Sequence, residues 1–307
     1  MIGISSIASY IPDNFVDNFS ESDKYKVTKD FIINKIGVHK RALSDFEDSC
    51  VDLAEKAVLS LLKKIKYKKD EIECLVFITQ TPHNQGLPHS SAYLHARLGF
   101  SNNTACFDIS LGCSGYVYGL SIINSFMLAN GMKTGILVTS DPYSKIVDIN
   151  DKNTALLFGD ASTATLISEN PIYKINKSVF STDGSQLNSL EKLDGVLRMN
   201  GRDVFTFAAQ SVPIQINKLL LRSSIDIGEI DLFVFHQGSK FIVETIANRM
   251  KLDKSKVPIN IKNIGNTVSS SIPLILQNVL DDVHNEKIIL SGFGVGLSWA
   301  SMIIEKQ

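Results

Sequence analysis

Cys113 is the residue in this sequence with the clearest potential for nucleophilic chemistry. It follows Gly112, after an apolar run at Ala105–Ile109 that predicts a strand, so the segment is typical of a strand-to-helix turn. A thiol at the first turn of a helix faces unpaired backbone N–H groups and the positive end of the helix dipole, and both favour the thiolate. The sequence therefore predicts a depressed pKa for Cys113, although a packing role is an equal alternative for this residue taken alone.

The other three cysteines lack this setting. Cys74 and Cys106 fall inside apolar strands, where a free cysteine usually behaves as a small buried hydrophobe. Together with Cys50 they show no CxxC spacing, which argues against a structural zinc site and against a disulfide framework. Cys113 is therefore predicted to be the fast-reacting thiol of the chain.

His236 and Asn266 are candidate partners for a nucleophile. His236 ends the apolar run 232–235, and Asn266 follows Gly265 at a predicted helix start. A histidine at a strand end is commonly a satisfied core residue, and asparagine is a favoured helix N-cap. Each residue by itself is weak evidence for catalysis.

The chain repeats one pattern of apolar residues in its two halves. The stretch 70–77 reads DEIECLVF, and the stretch 228–235 reads GEIDLFVF. Short apolar strands that alternate with amphipathic helices, such as 54–66, predict an α/β protein with a largely parallel sheet between helix layers. The repeat divides the chain into similar halves at 1–170 and 171–307.

The candidate catalytic residues occupy equivalent places in these halves. Gly112 precedes Ile136 by 24 positions, and Gly265 precedes Ile289 by 24 positions as well. A cysteine follows the first glycine and an asparagine follows the second. A pseudo-two-fold axis would bring both helix starts, and the strand end that carries His236, to one central site.

Composition and charge limit the classes of protein to which this chain could belong. Of the 307 residues, 44% are hydrophobic and 21% are charged, and the net charge is -1, so no basic field points to nucleic acid. No run approaches the ~18 apolar residues of a membrane helix, and the N-terminus lacks the basic region of a signal peptide. These features favour a cytoplasmic protein that binds neither nucleic acid nor membrane.

Four motifs occur in order along the chain. They are GCSG at 112–115, FHQG at 235–238, GNT at 265–267 and GFGVGLSW at 292–299. Together they resemble the ketoacyl-acyl-carrier-protein synthase III family over essentially the whole chain. The resemblance implies a duplicated thiolase fold, with two similar halves in a layered αβαβα arrangement.

The resemblance also implies an acyltransferase that uses CoA thioesters as substrates and needs no metal or bound cofactor. Cys113 would accept the acyl group from acyl-CoA. His236 and Asn266 would hydrogen-bond the thioester carbonyl of a malonyl group, carried by acyl carrier protein, while carbon dioxide leaves. Backbone N–H groups of Cys113 and Val295 would form the oxyanion hole, and Phe293 would pack against the site. The product would be a 3-oxoacyl thioester.

Several positions depart from the family pattern. Phe31 and Lys152 replace a tryptophan and an arginine that sandwich the CoA adenine, which predicts looser CoA binding. Ser239 replaces an asparagine three residues after the histidine. Thr206 and Phe241 replace two basic positions associated with carrier-protein docking. These changes favour a specialised paralogue.

The family works as a homodimer in which a loop from each subunit closes the acyl tunnel of the other. Here that loop is 83–89, and Leu87 replaces a bulkier aromatic residue before Pro88. The smaller cap predicts primers of roughly four to eight carbons. Alternatively, Met199 closes the tunnel, and the identity of residue 87 would then say nothing about the length of the primer.

Two other functions stay open at this point. One is a non-condensing acyl transfer from Cys113 to an oxygen, nitrogen or sulfur acceptor, with His236 as general base. The other is an inactive family member that serves as a structural or carrier-binding subunit. Such a protein would need none of Cys113, His236 and Asn266, so their presence argues against it. A biosynthetic thiolase would be expected to carry a second active-site cysteine, and the C-terminal half has none.

Overall fold

The computed structural model of the protein describes residues 1–307. The strands are β1 Gly3–Tyr10, β2 Phe15–Asp17, β3 Lys40–Ala42, β4 Cys74–Ile78, β5 Ala105–Ile109, β6 Thr134–Ser140, β7 Ser162–Ser168, β8 Tyr173–Thr182, β9 Leu190–Leu193, β10 Val196–Met199, β11 Leu232–Phe235, β12 Lys287–Gly294 and β13 Ser298–Lys306. The α-helices are α1 Ser22–Tyr25, α2 Cys50–Lys64, α3 Ser90–Leu98, α4 Gly115–Ala129, α5 Lys152–Ala155, α6 Gly201–Ser223, α7 Lys240–Arg249 and α8 Ser271–Val279.

Nine strands form one sheet whose order repeats about its centre. Outward from the centre, the order is β1-β7-β6-β4-β5 on one side and β8-β13-β12-β11 on the other. On each side the first two pairings are antiparallel and the third is parallel. Ile136 and Ile289 are each the third residue of their strands, β6 and β12. The duplicated α/β architecture predicted from the sequence is confirmed.

The sheet is mixed, and the prediction of a largely parallel sheet is wrong. The strand β13 follows β12 through a tight turn at 295–297, and such a connection can join only antiparallel neighbours. The strand β7 likewise runs antiparallel to both β1 and β6. The apolar runs that suggested parallel strands therefore reflect burial on both faces, since β6 and β7 are buried along their whole length.

Helices cover the sheet in three layers. The central layer consists of α4 and α8, and each packs on strands from both halves of the chain. In one outer layer, α2 packs on β1, β6 and β7, and α3 packs on β4 and β5. The other outer layer contains α6 and α7 on the side of β8, β12 and β13. This is the layered arrangement implied by the family resemblance, and it fixes the starts of α4 and α8 in the middle of the molecule.

The two sets of strands are joined by a narrow link. The strands β1 and β8 pair at Gly3–Lys174 and Ile4–Tyr173. The boundary predicted after residue 170 falls in the connection 169–172, between β7 and β8. No helix is both long enough and apolar enough to cross a membrane.

Candidate active site

The segment 110–114, here called the nucleophile turn, carries Cys113 from β5 to α4. Cys113 is 4% exposed, and α4 begins two residues after it, at Gly115. The backbone N–H groups of Cys113 and Val295 both approach the Cys113 sulfur. Two convergent N–H donors beside a nucleophile are the arrangement that stabilises an oxyanion when the sulfur attacks a carbonyl.

Two glycines of β12 make room for the nucleophile turn. A Cβ atom on Gly292 would lie 2.6 Å from the Cys113 carbonyl oxygen, and one on Gly294 would lie 2.8 Å from the Cys113 sulfur. Neither distance is compatible with an ordinary side chain. The nucleophile from the first half of the chain therefore rests directly on a strand of the second half.

The prediction of a depressed Cys113 pKa is wrong for this structure. Burial, with a smaller contribution from the nearby Asp141 carboxylate, raises the pKa of the thiol to about 12, because the two N–H donors only partly oppose these effects. The pKa values of Cys50, Cys74 and Cys106 are raised as well, chiefly by burial. Acidity therefore does not single out Cys113, and the thiol needs a proton acceptor when it reacts.

His236 follows β11 and is 2% exposed. Its Nδ1 atom lies 2.8 Å from the Ser271 hydroxyl oxygen, at the first residue of α8. Burial lowers the pKa of His236 to about 3, so the imidazole is neutral at physiological pH and can accept a proton. The Phe293 ring packs edge-on against it, with centroids 5.4 Å apart and an interplanar angle of 83°, which restricts the orientation of the imidazole.

Asn266 lies in the segment 264–268, here called the asparagine turn. Its backbone pairs with the first half of the chain, because its N–H donates to the Leu157 carbonyl at 2.8 Å and its carbonyl accepts from Gly159 at 3.0 Å. The side-chain Oδ1 accepts the Val268 N–H at 2.9 Å. The carboxamide is therefore oriented by a local turn and not by capping α8, which begins five residues later. Its NH₂ group remains available to donate.

The three residues meet at one cavity of about 330 Å³. Cys113, His236, Asn266 and Phe293 all line it, so the structure brings the predicted catalytic residues together. Apolar side chains form much of the remaining wall; they are Ile36, Leu157, Phe158, Leu190, Met199 and Ile242. The cavity can therefore hold an apolar chain beside a nucleophile, a neutral imidazole and a carboxamide donor.

Cationic side chains line the same cavity. These are Lys35, Lys152 and Arg202, none of which has a carboxylate partner within 4.0 Å, and no Asp or Glu lines the cavity. Such an arrangement favours an anionic ligand, because unpaired cations without neighbouring carboxylates give a positive local potential.

The predicted substrate-binding residues divide into two groups. Phe31, Lys152, Met199 and Ser239 line the cavity, and the Ser239 hydroxyl also caps α7 by accepting the Ile242 N–H at 3.2 Å. Leu87 is 86% exposed and does not line the cavity. Any role of Leu87 in an acyl tunnel therefore needs a second subunit.

An aromatic stack in the cavity wall could not be predicted from the sequence. Phe205 and Phe241 stack with centroids 5.0 Å apart, and the Lys35 ammonium lies 3.9 Å from the centroid of Phe241. All three side chains line the cavity. In the sequence, Phe241 is notable only because it replaces a basic residue of the family pattern. Its contact with Lys35 joins residues more than 200 positions apart, so no local pattern could have revealed it. No cluster of three or more His, Cys, Asp or Glu side chains could hold a metal ion.

This fold and this site define the thiolase-fold class of enzymes that carry an acyl group on cysteine. Models of 3-oxoacyl-[acyl-carrier-protein] synthase III match residues 107–184, and models of its C-terminal part match residues 220–306. The chain belongs to the beta-ketoacyl-[acyl-carrier-protein] synthase III family.

Full-length relatives support this assignment. The chain is 31% identical to the beta-ketoacyl-[acyl-carrier-protein] synthase III of Porphyra purpurea, over 100% of this chain and 99% of that protein. It is 30% identical to the enzyme of the same name from Prochlorococcus marinus, over 99% and 97%. The solved 3-oxoacyl-[acyl-carrier-protein] synthase III from Aquifex aeolicus superposes with a TM-score of 0.93 at 25% identity, covering 99% of this chain and 100% of that one.

Proposed function

We propose that the protein forms carbon–carbon bonds by acylating Cys113 from acyl-CoA and condensing the acyl group with a malonyl thioester. The observation that carries this proposal is the meeting of Cys113, His236 and Asn266 in one cavity, with two backbone N–H groups at the sulfur. An acyl transfer needs the nucleophile and the oxyanion donors. A decarboxylation also needs donors at a second carbonyl, and the NH₂ group of Asn266, which lines the cavity, can supply one.

In the first step, the Cys113 sulfur attacks the thioester carbonyl of acyl-CoA. The thiol proton passes to His236, which is neutral, and the N–H groups of Cys113 and Val295 bind the carbonyl oxygen as it becomes negative. The bond from the carbonyl carbon to the CoA sulfur then breaks. The CoA thiolate takes the proton back from His236 and leaves as free CoA, which returns the imidazole to its resting state.

In the second step, the malonyl thioester loses its carboxylate as carbon dioxide. The electron pair of the broken C–C bond passes to the adjacent carbonyl and forms an enolate, whose oxygen accepts hydrogen bonds from the Asn266 carboxamide and His236. The enolate carbon attacks the acyl-Cys113 carbonyl and expels the Cys113 thiolate, which takes up one proton from solvent. The products are a 3-oxoacyl thioester, carbon dioxide and the free thiol.

The cations Lys35, Lys152 and Arg202 support CoA and a phosphopantetheine-bearing carrier protein as the thioester donors. Both carry phosphate groups, and both extend a narrow, uncharged pantetheine arm that fits the apolar wall of the cavity. A homodimer belongs to the same proposal, since Leu87 lies outside the cavity of its own subunit.

The test is a mass measurement on the intact protein. Incubation with acetyl-, butyryl-, hexanoyl- and octanoyl-CoA should add one acyl mass at Cys113, and later malonyl-CoA or malonyl-acyl carrier protein should release carbon dioxide and a 3-oxoacyl thioester. Cys113→Ala should lower condensation by on the order of 10⁶-fold, as loss of a covalent nucleophile does elsewhere. Cys106→Ala is the matched control, because Cys106 is half-buried on β5 and does not line the cavity. Acylation without carbon dioxide release would indicate simple acyl transfer instead.

A further inference from the structure

The Ser271 hydroxyl lies between His236 and the backbone of the asparagine turn. Its oxygen is 2.8 Å from His236 Nδ1, and the hydroxyl donates to the Val268 carbonyl at 3.0 Å. It also accepts the Gln237 N–H at 3.4 Å. A serine hydroxyl has only one proton to donate. While Ser271 donates it to the Val268 carbonyl, the Ser271 oxygen can only accept a hydrogen bond from His236. Nδ1 then carries the imidazole proton, and Nε2 has a free lone pair.

Val268 holds this arrangement in place. The residue is β-branched and fully buried, yet its φ angle is +53°, a left-handed conformation that such residues rarely adopt. Its N–H fixes the Asn266 carboxamide at 2.9 Å, and its carbonyl accepts from Ser271. One peptide turn therefore orients both side chains that face the second substrate.

The two steps of the proposed reaction require different things of His236. Acylation needs Nε2 as a proton acceptor, which the resting arrangement provides. Decarboxylation needs Nε2–H as a donor to the enolate oxygen, which the resting arrangement does not provide. The imidazolium formed during acylation is transient, because its extra proton leaves with CoA, and burial disfavours any imidazolium that would persist into the second step. The neutral ring must therefore change its tautomer before it can donate from Nε2.

The Ser271 hydroxyl can support either tautomer. When the imidazole gives up its Nδ1 proton to water and takes one up from water at Nε2, the hydroxyl rotates away from the Val268 carbonyl and donates to the bare Nδ1. The Val268 carbonyl does not become unpaired, because the backbone N–H of Ser271 also donates to it. Both rotamers are therefore hydrogen-bonded, and the cost of an orphaned buried carbonyl is avoided.

We propose that Ser271 is a positioning residue that lets His236 alternate between proton acceptor during acylation and hydrogen-bond donor during decarboxylation. The expected effect of Ser271 on acylation and decarboxylation rests on the proposed function. The structural content of the inference, the Nδ1–H tautomer in the resting protein, does not depend on that function.

Ser271→Ala is the variant that tests it. Without the hydroxyl, Nδ1–H can donate only to the nearby Val268 carbonyl, so the resting tautomer becomes permanent. Acylation of Cys113 should stay within about threefold of wild type, whereas malonyl decarboxylation should fall about 100-fold, the usual loss of one enolate or oxyanion donor. Ser271→Thr keeps the hydroxyl and should restore decarboxylation.

Ser270→Ala is the matched control. Ser270 is also a buried serine at the start of α8, but its hydroxyl bonds to Thr139 at 2.8 Å and to the Ala161 carbonyl at 3.1 Å, away from His236. Thermal midpoints of the variants identify any general loss of stability. Equal losses in acylation and decarboxylation for Ser271→Ala, or no loss in either, would overturn the proposal.

Nitrogen-15 spectra of His236 in the free protein test the starting point. The expected result is a protonated Nδ1 and an unprotonated Nε2 in wild type. A resting Nε2–H form would contradict the inference even if the kinetics behaved as expected. If wild type fails to decarboxylate any malonyl thioester, the proposed function is wrong, while the spectra still decide whether Ser271 sets the tautomer.

Discussion

The nucleophile turn and the asparagine turn occupy equivalent positions in the two halves, yet they are built in different ways. In the nucleophile turn, Cys113 is positioned by packing and by backbone groups. The glycines of β12 leave room for it, and two backbone N–H groups point at its sulfur. The asparagine turn uses side-chain hydrogen bonds, which join Asn266, Val268, Ser271 and His236 in a single chain of contacts.

This difference indicates what each turn must do. A nucleophile that forms a covalent bond needs an accurately shaped cavity and a place for negative charge, and fixed backbone supplies both. Proton acceptors and donors must instead present a particular atom in a particular protonation state, which hydrogen-bond partners determine. The nucleophile turn should therefore be most sensitive to added volume, and the asparagine turn to changes in donors and acceptors.

Apart from removal of the nucleophile itself, the largest expected effect concerns the pH dependence of Cys113. Because burial raises its pKa to about 12, the thiolate fraction at neutral pH is small and increases with pH. Alkylation of the free protein by iodoacetamide should accelerate about tenfold per pH unit, or about 10³-fold between pH 7 and pH 10. Peptide mapping assigns the rate to Cys113. A plateau below pH 8.5 would mean that the start of α4 does depress the pKa, as the sequence predicted.

Asn266 tests the donor role of the asparagine turn. Asn266→Ala should lower malonyl decarboxylation by about 100- to 1000-fold and leave self-acylation of Cys113 nearly intact. Asn266→Asp is the sharper variant, since an aspartate oxygen can still accept the Val268 N–H but has no NH₂ group to donate. If Asn266→Asp decarboxylates as wild type does, the carboxamide serves the turn and not the substrate.

Gly294 tests the sensitivity of the nucleophile turn to volume. Gly294→Ala would place a methyl group 2.8 Å from the Cys113 sulfur, so the turn must shift. A displacement near 1 Å at a reacting atom costs about 100-fold in rate, and acylation should fall accordingly. Gly184→Ala is the control, because a Cβ there meets nothing within 4 Å. Unchanged acylation in Gly294→Ala would show that the turn is more tolerant than its packing suggests.

The smallest effect concerns Leu87, which belongs to neither turn. If Leu87 caps the tunnel of a partner subunit, Leu87→Phe should shift preference from longer to shorter primers by about tenfold for two methylene groups. Leu221→Phe makes the same change at a site on α6 that is also highly exposed, at 81%, and should leave the chain-length profile unaltered. An unchanged profile for Leu87→Phe, or a strict preference of wild type for acetyl-CoA, would refute the cap.

Motif and spacing predicted a shared site for Cys113, His236 and Asn266, and the structure brings the three residues to one cavity. The prediction was possible because the strand ends and turns that carry them have local signatures. The pKa of Cys113 could not be predicted in the same way, since it depends on burial by β12, which lies far along the chain. Ser271 escaped notice for a related reason. Its contact with His236 spans 35 positions, and only packing of α8 beside β11 reveals it.

The repeated strand order has an implication for the origin of the site. In a symmetric pair of identical halves, the positions now held by Cys113 and Asn266 would have to carry the same residue. A single chain containing both halves removes that constraint, so one position can keep a nucleophile while the other keeps an amide. The presence of both halves in one chain is thus what allows a two-fold framework to carry an asymmetric reaction.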